Sequence, residues 1–205
     1  MSKVELDPRE IEIPKNVLKA RLGFGRVREI PPAFEKYVRE AYEELLEVAT
    51  PVVFWEDFEA KSEGGKISFD GLELSGKLVE AHLLGSKLVT VFLATLGEGV
   101  DEKIEEHFAR GEDLMGFFLD GIASEMVEYA LRRVDATLRT QRPHLLGGFR
   151  VSPGYVDLPL ELNERIVKMF EGQVDVRVVQ GSYVLVPRKT ITAFLGWRER
   201  DAKEI

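Results

Sequence analysis

The apolar positions of this chain follow two spacings, one helical and one extended. At positions 31–48, "PPAFEKYVREAYEELLEV", Phe34, Tyr37, Val38, Ala41, Leu45 and Val48 recur in steps of three, four or seven, which places them on one face of a helix. Proline opens this segment and the shorter one at 14–22, in the first turn, where its missing N–H costs nothing. Positions 114–138 repeat the pattern at greater length, with Phe117, Phe118, Ile122, Met126, Tyr129, Ala130 and Val134 on a stripe that reads as core packing. Further helices are expected at 76–84, 99–110 and 160–170.

Other segments carry the signature of strands. Positions 50–58, "TPVVFWEDF", are β-branched and aromatic, and 66–74, "KISFDGLEL", form two alternating halves that break at Asp70-Gly71, a tight-turn pair. Positions 87–96, "KLVTVFLATL", make the most apolar run and read as a central strand. Three closing strands are expected at 174–179, 182–186 and 190–197, turning at Gly181 and at Pro187-Arg188-Lys189. Strands at both ends with helices between them give no βαβ alternation, so the fold class is α+β with a twisted, largely antiparallel sheet flanked by helices. One domain is expected over 1–205, with 1–30 as an N-terminal helical extension.

Composition narrows the chemistry. With 205 residues, 44% of them hydrophobic, the chain can bury a core of its own. Charged residues make up 31%, against two Asn and three Gln, a balance expected of a thermophile. There is no cysteine, which excludes disulfides, thiolate catalysis and Cys-ligated metals. The net charge of -8 opposes a nucleic-acid role. The charged N-terminus and the lack of a long apolar run argue for a cytoplasmic, soluble protein and against a membrane span.

Candidate sites then compete with plain structural readings. Gly97-Glu98-Gly99 sits between the central strand and a helix, where a polar ligand group would meet helix amides or where the chain merely turns. His107 and His144 have no partners at metal spacing, and no metal site is expected. Glu125 and Glu128 lie on the long helix; one of them faces a cleft, or sits at its rim paired with Arg132 four residues on. No serine sits in a nucleophile setting, and no catalytic acid or base is expected. In "GGFRVSPGYVDLP", at 147–159, Pro153 and Gly154 build a rigid turn with exposed amides and carbonyls. Arg150 can fork onto a carboxylate while the turn reads the edge of a planar ring and Tyr155 covers it. The alternative is a structural turn with Arg150 in a surface pair.

The motif Arg-x-Ser-Pro-Gly-Tyr at 150–155 resembles the Arg-x-Ala-Pro-Gly-Tyr signature of the S-adenosylmethionine-binding activation domain of cobalamin-dependent methionine synthase. "VFLATLGEGVDEKI" from Val91, "DGIASEMVEYALRRVD" from Asp120 and "GSYVLVPRKTITAFLGW" from Gly181 fall in that family's order, so the likeness spans roughly 78–197. It implies a free-standing activation protein that binds S-adenosylmethionine, meets cobalamin only through a partner, and supports reductive reactivation of a corrinoid methionine synthase lacking such a domain. A flavodoxin-like donor would supply the electron. Arg150 would hold the cofactor's carboxylate, the backbone of Ser152, Gly154 and Tyr155 its adenosyl part, and Glu125 is a further candidate for cofactor contact. His82, in "EAHLLG", is superficially similar to the cobalt-ligating histidine of cobalamin-binding domains, but it falls in a helix and reads as a helix-end histidine.

The chain also departs from the family. Leu195 stands where the family has a ligand-contacting tyrosine, Ser124 falls at the helix carboxylate position with Glu125 beside it, and the family's N-terminal Asp-Trp-x-x-Phe-Phe segment has no counterpart. Each change removes a polar contact of ~1 kcal/mol or more. These losses favour a second reading, an interaction protein that docks on a corrinoid methyltransferase without binding the cofactor.

Overall fold

A computed structural model describes residues 1–200 of the chain. The chain begins with strand β1 (Ser2–Glu5), then helices α1 (Lys15–Arg21) and α2 (Pro32–Val48). The first thirty residues are therefore not a purely helical extension. The alternating Val-Glu-Leu start of "SKVELDP" pairs antiparallel with β2 (Val52–Glu59), in register from Ser2 opposite Trp55 to Glu5 opposite Val52. Sequence reading misses this strand because four residues carry too little alternation to register alone.

After β2 come β3 (Lys61–Glu63), β4 (Lys66–Phe69) and β5 (Leu72–Ser75), a three-stranded antiparallel sheet. The expected hairpin is the β4–β5 turn, where Asp70 and Gly71 both take positive φ, 45° and 69°, as a two-residue turn matched to strand twist requires. Helix α3 (Lys77–His82) then leads into β6 (Leu88–Thr95), followed by α4 (Glu98–Ala109) and α5 (Asp113–Gln141). The last third holds β7 (Leu145–Gly147), α6 (Leu162–Met169), β8 (Arg177–Val178), β9 (Leu185–Val186) and β10 (Thr190–Glu199). Of the three closing strands expected, only β10 reaches full length; β8 and β9 shrink to a two-residue ladder.

The main sheet is antiparallel throughout, in the order β1-β2-β6-β10-β7. Its centre, β6, is largely apolar on both faces because both are covered, which explains a hydrophobic run interrupted only by Thr90 before its end at Thr95. On one face Phe92 and Ala94 join Val53, Ala193, Leu195 and Trp197 beneath α2, α4 and α5. On the other, Val89, Val91 and Leu93 join Phe54 and Phe194 and meet the β3–β5 sheet and α6. Among the described residues no helix is long and apolar enough to cross a membrane.

One buried polar group gives this packing a pH dependence. His107, at the end of α4, is 5% exposed, and its ring nitrogens lie 2.6 Å from Glu44 on α2 and 2.7 Å from Glu112 before α5. The fold thus adds Glu44, from a distant helix, to Glu112 five residues on. Burial is the largest single influence and disfavours the charge, but hydrogen bonds to the two carboxylates and their charges together outweigh it and hold the pKa above 6.5. Because the folded-state pKa is the higher one, this stabilisation is complete below pH 6.5 and is lost as pH rises through the folded value. Urea midpoints measured upward from pH 6 should fall over that window in the wild type and fall less in His107→Gln. Equal pH dependence in the two proteins would refute the assignment.

Candidate functional site

The turn at 147–159 follows β7 along the edge of β10. Gly148 N–H donates to Gly196 O at 2.9 Å, and Val151 bridges Phe194. Between these anchors the chain bulges, sending Phe149 outward and Arg150 toward α5. Both glycines are needed for close approach: a Cβ on Gly148 would lie 2.9 Å from His82 O, and one on Gly196 would lie 3.1 Å from the same carbonyl.

Past Val151 the turn closes on itself. Gly154, at φ 85°, donates its N–H to Leu158 O at 2.8 Å, and Tyr155 N–H bonds Ser152 O at 3.3 Å. The exposed amides expected of Gly154 and Tyr155 are therefore already engaged, since a turn this tight satisfies its own donors. Tyr155 is 69% exposed, and Val156 holds a positive φ of 52°. Asp157 then ties the turn to α3, accepting hydrogen bonds from the Lys77 and Leu78 amides at 2.5 and 3.2 Å. Those backbone bonds hold its carboxyl below the ordinary 3.8.

Arg150 is the turn's inward member. Its guanidinium meets Glu128 Oε1 at 2.6 Å through Nη2 and Asp135 Oδ2 at 3.3 Å through Nε. Glu128 also accepts from Arg132 at 3.0 Å, and Asp135 from Arg139 at 2.6 Å. Arg139 in turn donates to Gly147 O and Gly148 O at 2.6 and 2.7 Å, pinning the glycine pair to α5. These side chains, with His82, Phe149 and Arg198, line a cleft of about 800 Å³. His82 ends α3, as the helix-end reading requires, and its ring stands edge-on to Phe149 at 5.5 Å.

The other site residues expected from sequence lie outside this lining. Ser152, Gly154 and Tyr155 sit beyond Arg150 in the turn. Glu125 is 6% exposed and paired with Arg21 of α1 at 2.6 Å, so of the two glutamates it is Glu128, one helical turn on, that reaches the cleft. Ser124 accepts from Lys189 at 3.0 Å. Leu195 is fully buried on the α5 side of the sheet. At Gly97 the space for a Cβ is filled by the Thr50 hydroxyl, which accounts for that glycine by packing. Among the described residues no group of three or more His, Asp or Glu is arranged to hold a metal. The charged positions 128, 132, 135 and 139 could have been found from sequence, since steps of four, three and four on a helix with so apolar a stripe mark a second, polar face.

The sequence matches no family model and no curated protein. The architecture does find a counterpart: a crystal structure of the MetH reactivation domain bound to AdoHcy superposes with a TM-score of 0.70, over 98% of this chain and 79% of the other. This chain has the fold of the MetH reactivation domain. Identity is 12%, so the likeness establishes fold, the same one that the motif at 150–155 pointed to. With the MetH domain as reference, the residues of the cleft carry the functional argument.

Proposed function

We propose that this protein binds S-adenosylmethionine in the Arg150 cleft and acts as a free-standing activation protein for a corrinoid methionine synthase or related methyltransferase. The observation that carries this reading is the side-by-side placement of Arg150 and Glu128 in a cleft of a fold that the AdoHcy-bound domain shares. An amino-acid moiety needs a cation for its carboxylate and an anion for its ammonium, and both stand in the lining. The cofactor would supply the methyl group. Arg150 would orient the carboxylate end, Glu128 would take the ammonium in place of Glu125, and the Ser152–Tyr155 turn with its exposed phenol would flank the adenosyl part. Rate gain would then come from placement, with no acid or base required of this chain.

Addition of the protein, with an electron donor and S-adenosylmethionine, is expected to increase the recovered activity of an inactivated corrinoid methionine synthase. No increase over the mixture without it counts against the proposal. Arg150 is already paired twice, and this favours the second reading, docking without cofactor binding. That reading gains if the protein captures a corrinoid methyltransferase equally well as Arg150→Ala while binding no cofactor.

A further inference from the structure

We infer that the cleft sorts its ligand by charge, holding the demethylated thioether more tightly than the sulfonium. The inference rests on the reading that the cleft binds S-adenosylmethionine. The lining presents four guanidiniums, Arg132, Arg139, Arg150 and Arg198, against two carboxylates, Glu128 and Asp135. In a chain whose net charge is -8, this one cleft carries an excess of two positive charges.

Each carboxylate is shared between two arginines, Glu128 between Arg132 and Arg150 and Asp135 between Arg139 and Arg150. Both arginine bonds to Glu128 fall on its Oε1, so Oε2 stands for the ligand's ammonium, and the excess of two positive charges in the lining is unchanged. Arg198 stands at the rim, its Nη2 on Leu84 O at 2.7 Å. The thioether and the sulfonium share one carboxylate and one ammonium, so those ends feel the same field in both. They differ by a single positive charge on sulfur, which a net-cationic lining repels. Phe149, 76% exposed, is the lining group that attracts a sulfonium, by cation–π contact worth about twofold to fivefold at an exposed site. Two excess charges within one cleft are expected to exceed that at low salt, where screening over the cleft's width is weak.

This preference makes the protein sensitive to the ratio of the two forms, with the demethylated one as an inhibitor.

Calorimetric titration of the full chain with S-adenosylmethionine and with S-adenosylhomocysteine tests this directly. At about 10 mM salt the thioether is expected to bind about tenfold more tightly, and the ratio should shrink toward parity at about 1 M, where the Debye length is about 3 Å. Arg198→Gln, at an exposed position, should narrow the low-salt ratio. Equal or tighter sulfonium binding, or a ratio that ignores both salt and Arg198→Gln, overturns the inference and leaves the proposed function standing. Binding of neither ligand overturns both.

Discussion

Arg150→Ala is expected to weaken S-adenosylmethionine binding by about 50-fold or more, the loss of a charge-assisted fork onto a carboxylate. Two further costs add to this. The Arg150 guanidinium is 13% exposed, so water screens it poorly, and its removal leaves Glu128 and Asp135 with one guanidinium fewer between them. Their negative charge would then face the ligand's carboxylate. Arg132 and Arg139 remain on those acids, so the fold should persist and the loss should be one of binding. Arg150→Lys separates charge from geometry: it keeps the cation but cannot make the planar fork, and should recover only part of the affinity. Calorimetric titration of the three proteins checks this, with thermal unfolding as the control. Binding by Arg150→Ala within about threefold of wild type would place the carboxylate elsewhere.

The largest loss of stability is expected at Trp197. Its ring is fully buried, its Nε1–H donates to Thr90 Oγ1 at 2.7 Å, and the Arg142 guanidinium stacks 4.8 Å from the ring centre. Arg142 is itself held by Asp57 at 2.5 Å, and Thr90 bonds the same carboxylate. Trp197→Ala should therefore cost about 3–5 kcal/mol, combining a large cavity with the loss of one buried hydrogen bond to Thr90 and a cation that loses its platform. For a chain of this length that corresponds to a midpoint lower by roughly 6–20 °C. Trp197→Phe, which keeps most of the volume and loses the N–H, should cost about half as much or less. Thermal and urea unfolding followed by circular dichroism would measure both, and a loss under about 1 kcal/mol for Trp197→Ala would show that the network adds nothing. The site should respond as well, because Trp197 lies opposite Gly147, whose carbonyl Arg139 holds.

Long elements were legible because their signals are local and repeated. The apolar stripe of α5 spans many turns, β6 is hydrophobic over most of its length, and Asp70-Gly71 allows little but a tight turn. Two short strands were not. β1 and β7, of four and three residues, exist because a neighbouring strand offers hydrogen bonds, and no periodicity of their own announces them, while β8 and β9 were expected at greater length than the fold allows them. The same division runs through the site. Arg150 and its Pro-Gly turn stand together in the chain, so a motif can show them. Glu128, Asp135, Arg139, Arg198 and His82 come from α5, β10 and α3, and only the folded chain brings them to one cleft. His107 is the same case, its two carboxylates lying 63 and 5 residues away.

By itself, then, the sequence determined the fold class, the central strand, the long helices and the turn that carries Arg150, because hydrophobic spacing and the restricted φ of Pro and Gly act within a few residues. The tertiary structure decided where the charges meet. It gave Glu125 to Arg21 and Glu128 to Arg150, buried Leu195 and closed the turn's amides. Apart from the turn's own amides, such choices depend on distances between residues far apart in the chain, which no local spacing encodes.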